Sequence, residues 1–131
     1  MEHPARNPVC WFEIPVRDME RAERFYGALL GVTFERAEID GNAMSFFPGA
    51  EGLAGAGGAL ARGQSYRPGH AGARVYFRVG SVEAALARAT AAGGRVLYPR
   101  TSIGDLGWVA EIEDSEGNCV ALHEVAGPGA A

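Results

Sequence analysis

The sequence lacks any run of about 18 apolar residues, the length that a membrane-crossing helix needs, so no spanning segment is expected. It also lacks a block of basic residues. Twelve Lys and Arg stand against sixteen Asp and Glu, for a formal net charge of −4. Nucleic acids and anionic membranes both call for a concentrated positive surface, and neither is an expected partner. Cysteine is scarce: Cys10 and Cys119 are the only two, they fall in expected strands, and their spacing is not that of a metal-binding pair. Two reduced thiols packed in a cytoplasmic protein are expected, with a disulfide as the lesser alternative. The opening MEHPARNP has no apolar core of the kind a secretory signal carries. No Ser or Cys sits in a local nucleophile motif. The glycines at 55–58 do not lead from a strand into a helix, so they do not form a phosphate loop.

What is present is the composition of a folded globular chain. Hydrophobic residues make up 47% and charged residues 21% of 131 residues, which suits one structural domain or two half-domains sharing a core. Nineteen glycines are many; the richest run, 49–63, reads as structured turns. The stretch WFEIPVRDMERAERFYGALLG, residues 11–31, organises the rest. By the period of two, Trp11, Glu13 and Pro15 share one strand face and Phe12, Ile14 and Val16 the other. Asp18 can cap a helix in which Ala22, Phe25, Tyr26, Leu29 and Leu30 recur at helical spacing, and Gly31 can end it with positive φ.

Taken in order, residues 1–8 are expected to be a loose end. A first module covers 9–61: a strand at 9–16, the helix, a strand at 32–39, a turn at Asp40-Gly41-Asn42, a returning strand at 43–47, and a glycine-rich strand at 56–61. Residues 62–72 form a polar connection that contains Tyr66 and His70. A second module covers 73–125. It begins with a strand at 73–79 and a helix capped by Ser81 and stopped at Gly93-Gly94. A strand at 95–101 follows, then strands at 107–112 and 118–125 joined by the turn Asp114-Ser115-Glu116-Gly117. Residues 126–131 are expected to be a flexible tail. The two modules repeat: Val16, Glu20, Gly31 and Gly41 recur as Val79, Glu83, Gly94 and Gly104, each 63 residues later. The fold class is therefore α+β, two tandem βαβββ modules with curved mixed sheets around a cavity.

The paired modules, the phrase VRDMERAERFYGALLGVTFE and the ending EDSEGNCVALHE resemble the vicinal oxygen chelate superfamily, which includes glyoxalase I, extradiol dioxygenases, and fosfomycin and bleomycin resistance proteins. The resemblance covers residues 9–125. It implies two curved sheets with a ligand or metal in the cup between them, and usually a homodimer. Metal-binding members hold a divalent ion with His and Glu ligands, so that it polarises two neighbouring substrate oxygens. In this sequence the matching positions hold Trp11, a residue near Ala59, Arg74 and Ala121. None is a ligand, and no metal or other cofactor is expected at the usual site.

Strand parity then leaves Glu13, Tyr76 and His123, one step along the strands from those positions, as polar candidates for the same cup. One reading is a displaced divalent-metal site built on Glu13 and His123, although two ligands are fewer than the three that a catalytic site normally offers. A second is acid–base chemistry with Glu13 as base and Tyr76, Arg74 or His123 orienting a substrate. A third is binding alone, with Trp11 as a stacking face and Glu13 pairing with a cationic or hydroxylated ligand. A fourth is that Glu13 and Arg74, or Glu13 and His123, satisfy each other across the seam between modules. Phe46 and Trp108 stand at equivalent places in the third strands, as packing or cavity lining. Tyr66 and His70 can close over a ligand, whereas His3 lies near a solvated terminus. Glu20 and Glu23, alternating with Arg17, Arg21 and Arg24, are expected to form an ion-paired helix face. The leading expectation is a homodimer that binds an apolar or aromatic small molecule without the metal. The alternative is a lyase, isomerase or dioxygenase-type enzyme with a rearranged site at Glu13 and His123, and a cavity filled by side chains in a protein–protein role comes third.

Overall fold

The structure, a computed structural model, describes residues 7–49 and 53–127. The expected loose start with His3, part of the glycine-rich run, and most of the expected tail lie outside the described residues. The order is β1 (Trp11–Pro15), α1 (Met19–Leu30), β2 (Glu35–Ile39), β3 (Asn42–Phe46) and β4 (Gly57–Arg62), then β5 (Tyr76–Arg78), α2 (Val82–Ala91), β6 (Arg95–Ser102), a 3-10 turn (Gly104–Leu106), β7 (Trp108–Glu113) and β8 (Cys119–Glu124). Two four-stranded mixed sheets result. Sheet A runs β1-β4-β3-β2 and sheet B runs β5-β8-β7-β6, each with one parallel pair at its start. The sheets are not closed into a barrel. Among the described residues no helix is long and apolar enough to cross a membrane.

The helices form where the caps predict. The Asp18 carboxylate accepts the Arg21 N–H, and Gly31 ends α1 in the left-handed region at φ 68°. Ser81 caps α2 by accepting the Ala84 N–H. Several strands are shorter than their apolar runs suggest. β1 begins at Trp11, so Cys10 precedes it, and β5 is three residues long, Tyr76–Arg78 paired with β8. Cys10 and Cys119 are both free thiols.

Aromatic residues of β1 explain the glycines opposite them. Trp11 and Phe12 stand in register with Gly57 and Gly58 on β4, and each ring lies across its glycine. A Cβ at Gly58 would come within 2.4 Å of the Phe12 ring, and one at Gly57 within 3.3 Å of the indole. Glycine is what lets these two rings lie flat on the sheet.

The apolar faces of both helices pack on the same faces of both sheets. Phe25, Tyr26 and Leu29 from α1, Val82 and Ala89 from α2, Ile14 and Leu60 from sheet A, and Ile112 and Leu122 from sheet B belong to one buried cluster. Phe12, Phe47 and Phe77 meet the Tyr26 ring or one another at its centre, with centroids 5.4–6.0 Å apart. The single buried hydroxyl of this cluster, on Tyr26, donates to Asp114 at 2.6 Å. Burial first, then the Asp114 charge, push the Tyr26 phenol well above its usual range.

The β7–β8 turn latches one module to the other. The Glu116 carboxylate accepts the backbone N–H of Arg17 and Asp18 and is gripped by the Arg21 guanidinium at 2.7 and 3.0 Å. Burial pushes its pKa up, but Arg21 and the N–H groups of Asp18 and Arg17 outweigh it and hold it at about 2. Asn118 donates to the Pro15 carbonyl and accepts the Gly69 N–H. The charged side chains of α1 therefore do not pair along their own helix, as their alternation suggests. Arg21 reaches Glu116, and Glu23 binds Arg36 and Ser45 of the sheet.

Candidate functional site

Because the core lies on the helix side of both sheets, the faces that carry Glu13 and His123 point away from it. On sheet A, strand pairing builds one row across that open face: Glu13 beside Ala59, Ala59 beside Phe46, and Phe46 beside Glu35. On sheet B the corresponding row is Tyr76, Ala121, Glu111 and Tyr98.

Trp11 is 45% exposed, yet it is held in place. Its indole N–H donates to Glu13 at 3.2 Å, and its ring meets Phe46 edge-on at 5.9 Å. The second Glu13 oxygen accepts the Tyr66 hydroxyl at 2.7 Å, and this bond raises the Tyr66 pKa. Tyr66 packs against buried Met44, Ala59 and Ala61. A cleft of about 700 Å³ opens beside the row, walled by Trp11, Phe46, Phe34, Phe47 and Leu53, with Glu35 at its side. An exposed aromatic next to such a cleft offers a flat apolar face to a ligand.

Sheet B has a different character. The Arg74 guanidinium donates to Glu111 at 2.6 Å. Glu113 accepts both Arg95 nitrogens, and the His70 ring nitrogen lies 2.7 Å away; Arg95 first and His70 second lower its pKa. Tyr76 is 54% exposed beside Ala121. His123 has its Nε2 2.6 Å from the Leu106 carbonyl.

Of the candidates named from sequence, Trp11, Glu13 and Phe46 come together on sheet A, whereas Arg74, Tyr76 and His123 share the open face of sheet B. Among the described residues no hydrogen bond joins Glu13 to Arg74 or to His123; each has a nearer partner. Trp108 is a correction. It pairs with Glu124 and Ser102 on the helix side, under the Arg100 guanidinium 3.5 Å from its ring. Its expected equivalence to Phe46 fails by register, since the counterpart of Phe46 in the sheet B row is Glu111, and an odd offset moves a side chain to the opposite face. Tyr66 and His70 are tied to Glu13 and Glu113, which lays the connection across both open faces. Sequence reasoning missed Glu35. Its only signal was its position in an edge strand whose register is set by the Asp40-Gly41 turn.

The four positions where metal-binding relatives place ligands hold an indole that donates, two buried methyl groups (Ala59 and Ala121) and a guanidinium already paired with Glu111. This donor set does not fit a divalent ion. Among the described residues no three His, Cys, Asp or Glu side chains gather closely enough to hold one.

The model of the family described as Glyoxalase/Bleomycin resistance protein/Dioxygenase superfamily matches residues 9–122. No curated protein matches the sequence. Among solved structures, TnmS3, an antibiotic binding protein from Streptomyces sp. CB03234, is similar at 24% identity and a TM-score of 0.70, over 95% of this chain and 100% of that one. A glyoxalase/bleomycin resistance protein from the same source is 23% identical over 88% of this chain and 98% of that one, with a TM-score of 0.66. Glyoxalase I from Zea mays is 18% identical with a TM-score of 0.66, covering 89% of this chain; the chain spans only 46% of the maize protein. At these identities the structures show a shared fold.

Proposed function

The chain belongs to the glyoxalase/bleomycin resistance protein/dioxygenase superfamily, and on that premise we propose that it binds a small, flat, apolar or aromatic molecule on the open face of sheet A without a metal at the family's ligand positions. The observation that carries this reading is Trp11, a large aromatic side chain nearly half exposed yet fixed by Glu13 and Phe46 beside a cleft of about 700 Å³. A wall already held in one orientation loses little conformational freedom when a ring stacks on it. A protein of similar length that shares this fold is an antibiotic binding protein, so the fold accommodates a binding role.

An enzyme built on Glu13 and His123 needs both groups at one substrate. Their separate partners, and the two donors that already occupy the Glu13 oxygens, favour binding instead. We take the working unit to be a homodimer. The exposed Trp11 on one sheet and the exposed Tyr76 and Tyr98 on the other support a cover for both open faces.

A thermal-shift panel of aromatic compounds tests the function. A ligand at 100 times its Kd adds about 2.7 kcal/mol of apparent stability. At least one aromatic compound is expected to raise the melting temperature of the native protein and not of Trp11→Ala; a panel that moves neither contradicts the proposal. Elemental analysis of protein purified without chelator or metal-affinity tag is expected to show no stoichiometric metal. One Zn, Ni, Mn or Fe per chain would overturn the metal-free part.

A further inference from the structure

Resting on the binding reading above, we infer that the ligand is an aromatic cation: a flat ring seated on Trp11 and Phe46 with an amine or ammonium group at Glu35. Three features of the structure converge on this class.

The first is the row itself. Glu35 stands in register beside Phe46, on the face that the Phe46 ring shares with Trp11. Adjacent strands are about 4.8 Å apart, so a ring lying over Phe46 carries a substituent one or two bonds long to the Glu35 carboxylate. Glu13 closes the other end of the row behind the indole, so an aromatic floor lies between two carboxylates.

The second is what else lines the cleft. Among the described residues its walls include no Arg or His, Glu35 is the one carboxylate, and Cys10 is the remaining titratable group. The nearest arginine in sequence, Arg36, belongs to the opposite face of β2 and is held by Glu23 at 2.7 and 3.0 Å. An anionic ligand would meet only like charge here, and a cation also gains from the electron-rich faces of Trp11 and Phe46.

The third is the state of the carboxylates. Glu23, Glu111, Glu113, Glu116 and Glu124 each lie within 4.0 Å of an arginine, whereas Glu35 joins none of the ion pairs among the described residues. Glu13, Glu20, Glu38 and Glu83 join none either, but among the described residues Glu35 is the carboxylate that lines the aromatic cleft.

Calorimetric titration with three probes of one shape tests this: naphthylmethylamine, naphthylmethanol and naphthoate, each at neutral pH against the native protein, Glu35→Gln and Trp11→Ala. The amine is expected to bind about fivefold more tightly than the alcohol, and naphthoate most weakly. In Glu35→Gln the amine should fall to the affinity of the alcohol, whose own Kd stays within about twofold, because Glu35 is exposed on an edge strand and its amide keeps the shape. Raising salt to about 0.5 M should erode the advantage of the amine in the native protein. Equal affinities for amine and alcohol, or an advantage that persists in Glu35→Gln, would overturn the cation assignment while leaving the binding site standing. If none of the three probes binds, or if Trp11→Ala binds them unchanged, the site itself is wrong and the cation assignment goes with it.

Discussion

On sheet A the open-face row reads Glu13, Ala59, Phe46, Glu35; on sheet B its counterpart reads Tyr76, Ala121, Glu111, Tyr98. The second place is alanine in both. The other three places are inverted. Sheet A puts its aromatic inside and its carboxylates at the ends, and sheet B puts a carboxylate inside and aromatics at the ends. Sheet B then pairs its acids with Arg74 and Arg95, and His70 lies within hydrogen-bond distance of Glu113, whereas sheet A leaves Glu35 outside any ion pair among the described residues, beside an open cleft. A duplicated framework thus keeps its strand pairing while the two faces take on different work. One is a surface held ready for a ring, and the other is an ion-paired face.

Both faces depend on the latch at Glu116, and removing it is the broadest way to break the comparison. Glu116→Ala removes the acceptor of two part-buried backbone N–H groups and the partner of a half-exposed Arg21, and stability should drop by about 2 kcal/mol. This reads as a lower urea midpoint; an unchanged midpoint would mean that the shared core alone fixes the two modules. Acid probes the same contact in the native protein. The folded carboxylate titrates at about 2 against an ordinary 4.5, so the unfolded chain takes up the proton first. The contribution of Glu116 is complete above about pH 4.5 and is lost as the pH falls toward 2. Urea midpoints measured down that range should fall more steeply for the native protein than for Glu116→Ala.

A smaller change turns one row toward the other. Phe46→Glu gives sheet A the inner carboxylate of sheet B and removes the ring that Trp11 rests on. Affinity for a neutral aromatic probe should fall about tenfold or more with the lost apolar contact, as read by calorimetry. Retained affinity would show that Phe46 is not part of the floor. The least effect is expected on sheet B. Tyr76→Ala truncates an exposed side chain and should leave probe affinity within about twofold; a larger loss would mean that the second sheet, from this chain or a second copy, reaches the ligand.

The framework could be read from sequence because its signals are local. Asp18, Gly31 and Ser81 mark the helix ends by their own backbone chemistry, and a repeat of 63 residues exposes the duplication. The site was only half legible. Trp11 and Glu13 are two apart on one strand, so parity alone places them together, and Tyr66 joins them through a hydroxyl that no spacing rule predicts. Phe46 and Trp108 look alike in sequence, but cross-strand register decides which face each takes, and that is fixed by turns and by the bulges in β6. Glu35 was invisible for the same reason: nothing in ERAEI says which residue stands beside Phe46 until β2 and β3 are paired. The contacts of Glu116 with Arg17 and of Glu113 with His70, 99 and 43 residues apart in sequence, are products of tertiary packing.

The two tryptophans allow the most direct test, because Trp11 borders the proposed site on sheet A and Trp108 lies on the helix side of sheet B. In a nitrogen–proton correlation spectrum, the two indole N–H signals can be assigned with Trp11→Phe and Trp108→Phe. Naphthylmethylamine is then titrated into the native protein. The Trp11 signal should move in a saturable way while the Trp108 signal stays still. A Trp108 signal that moves while Trp11 is silent, or no movement of either, would contradict the assignment of ligand binding to the open face of sheet A.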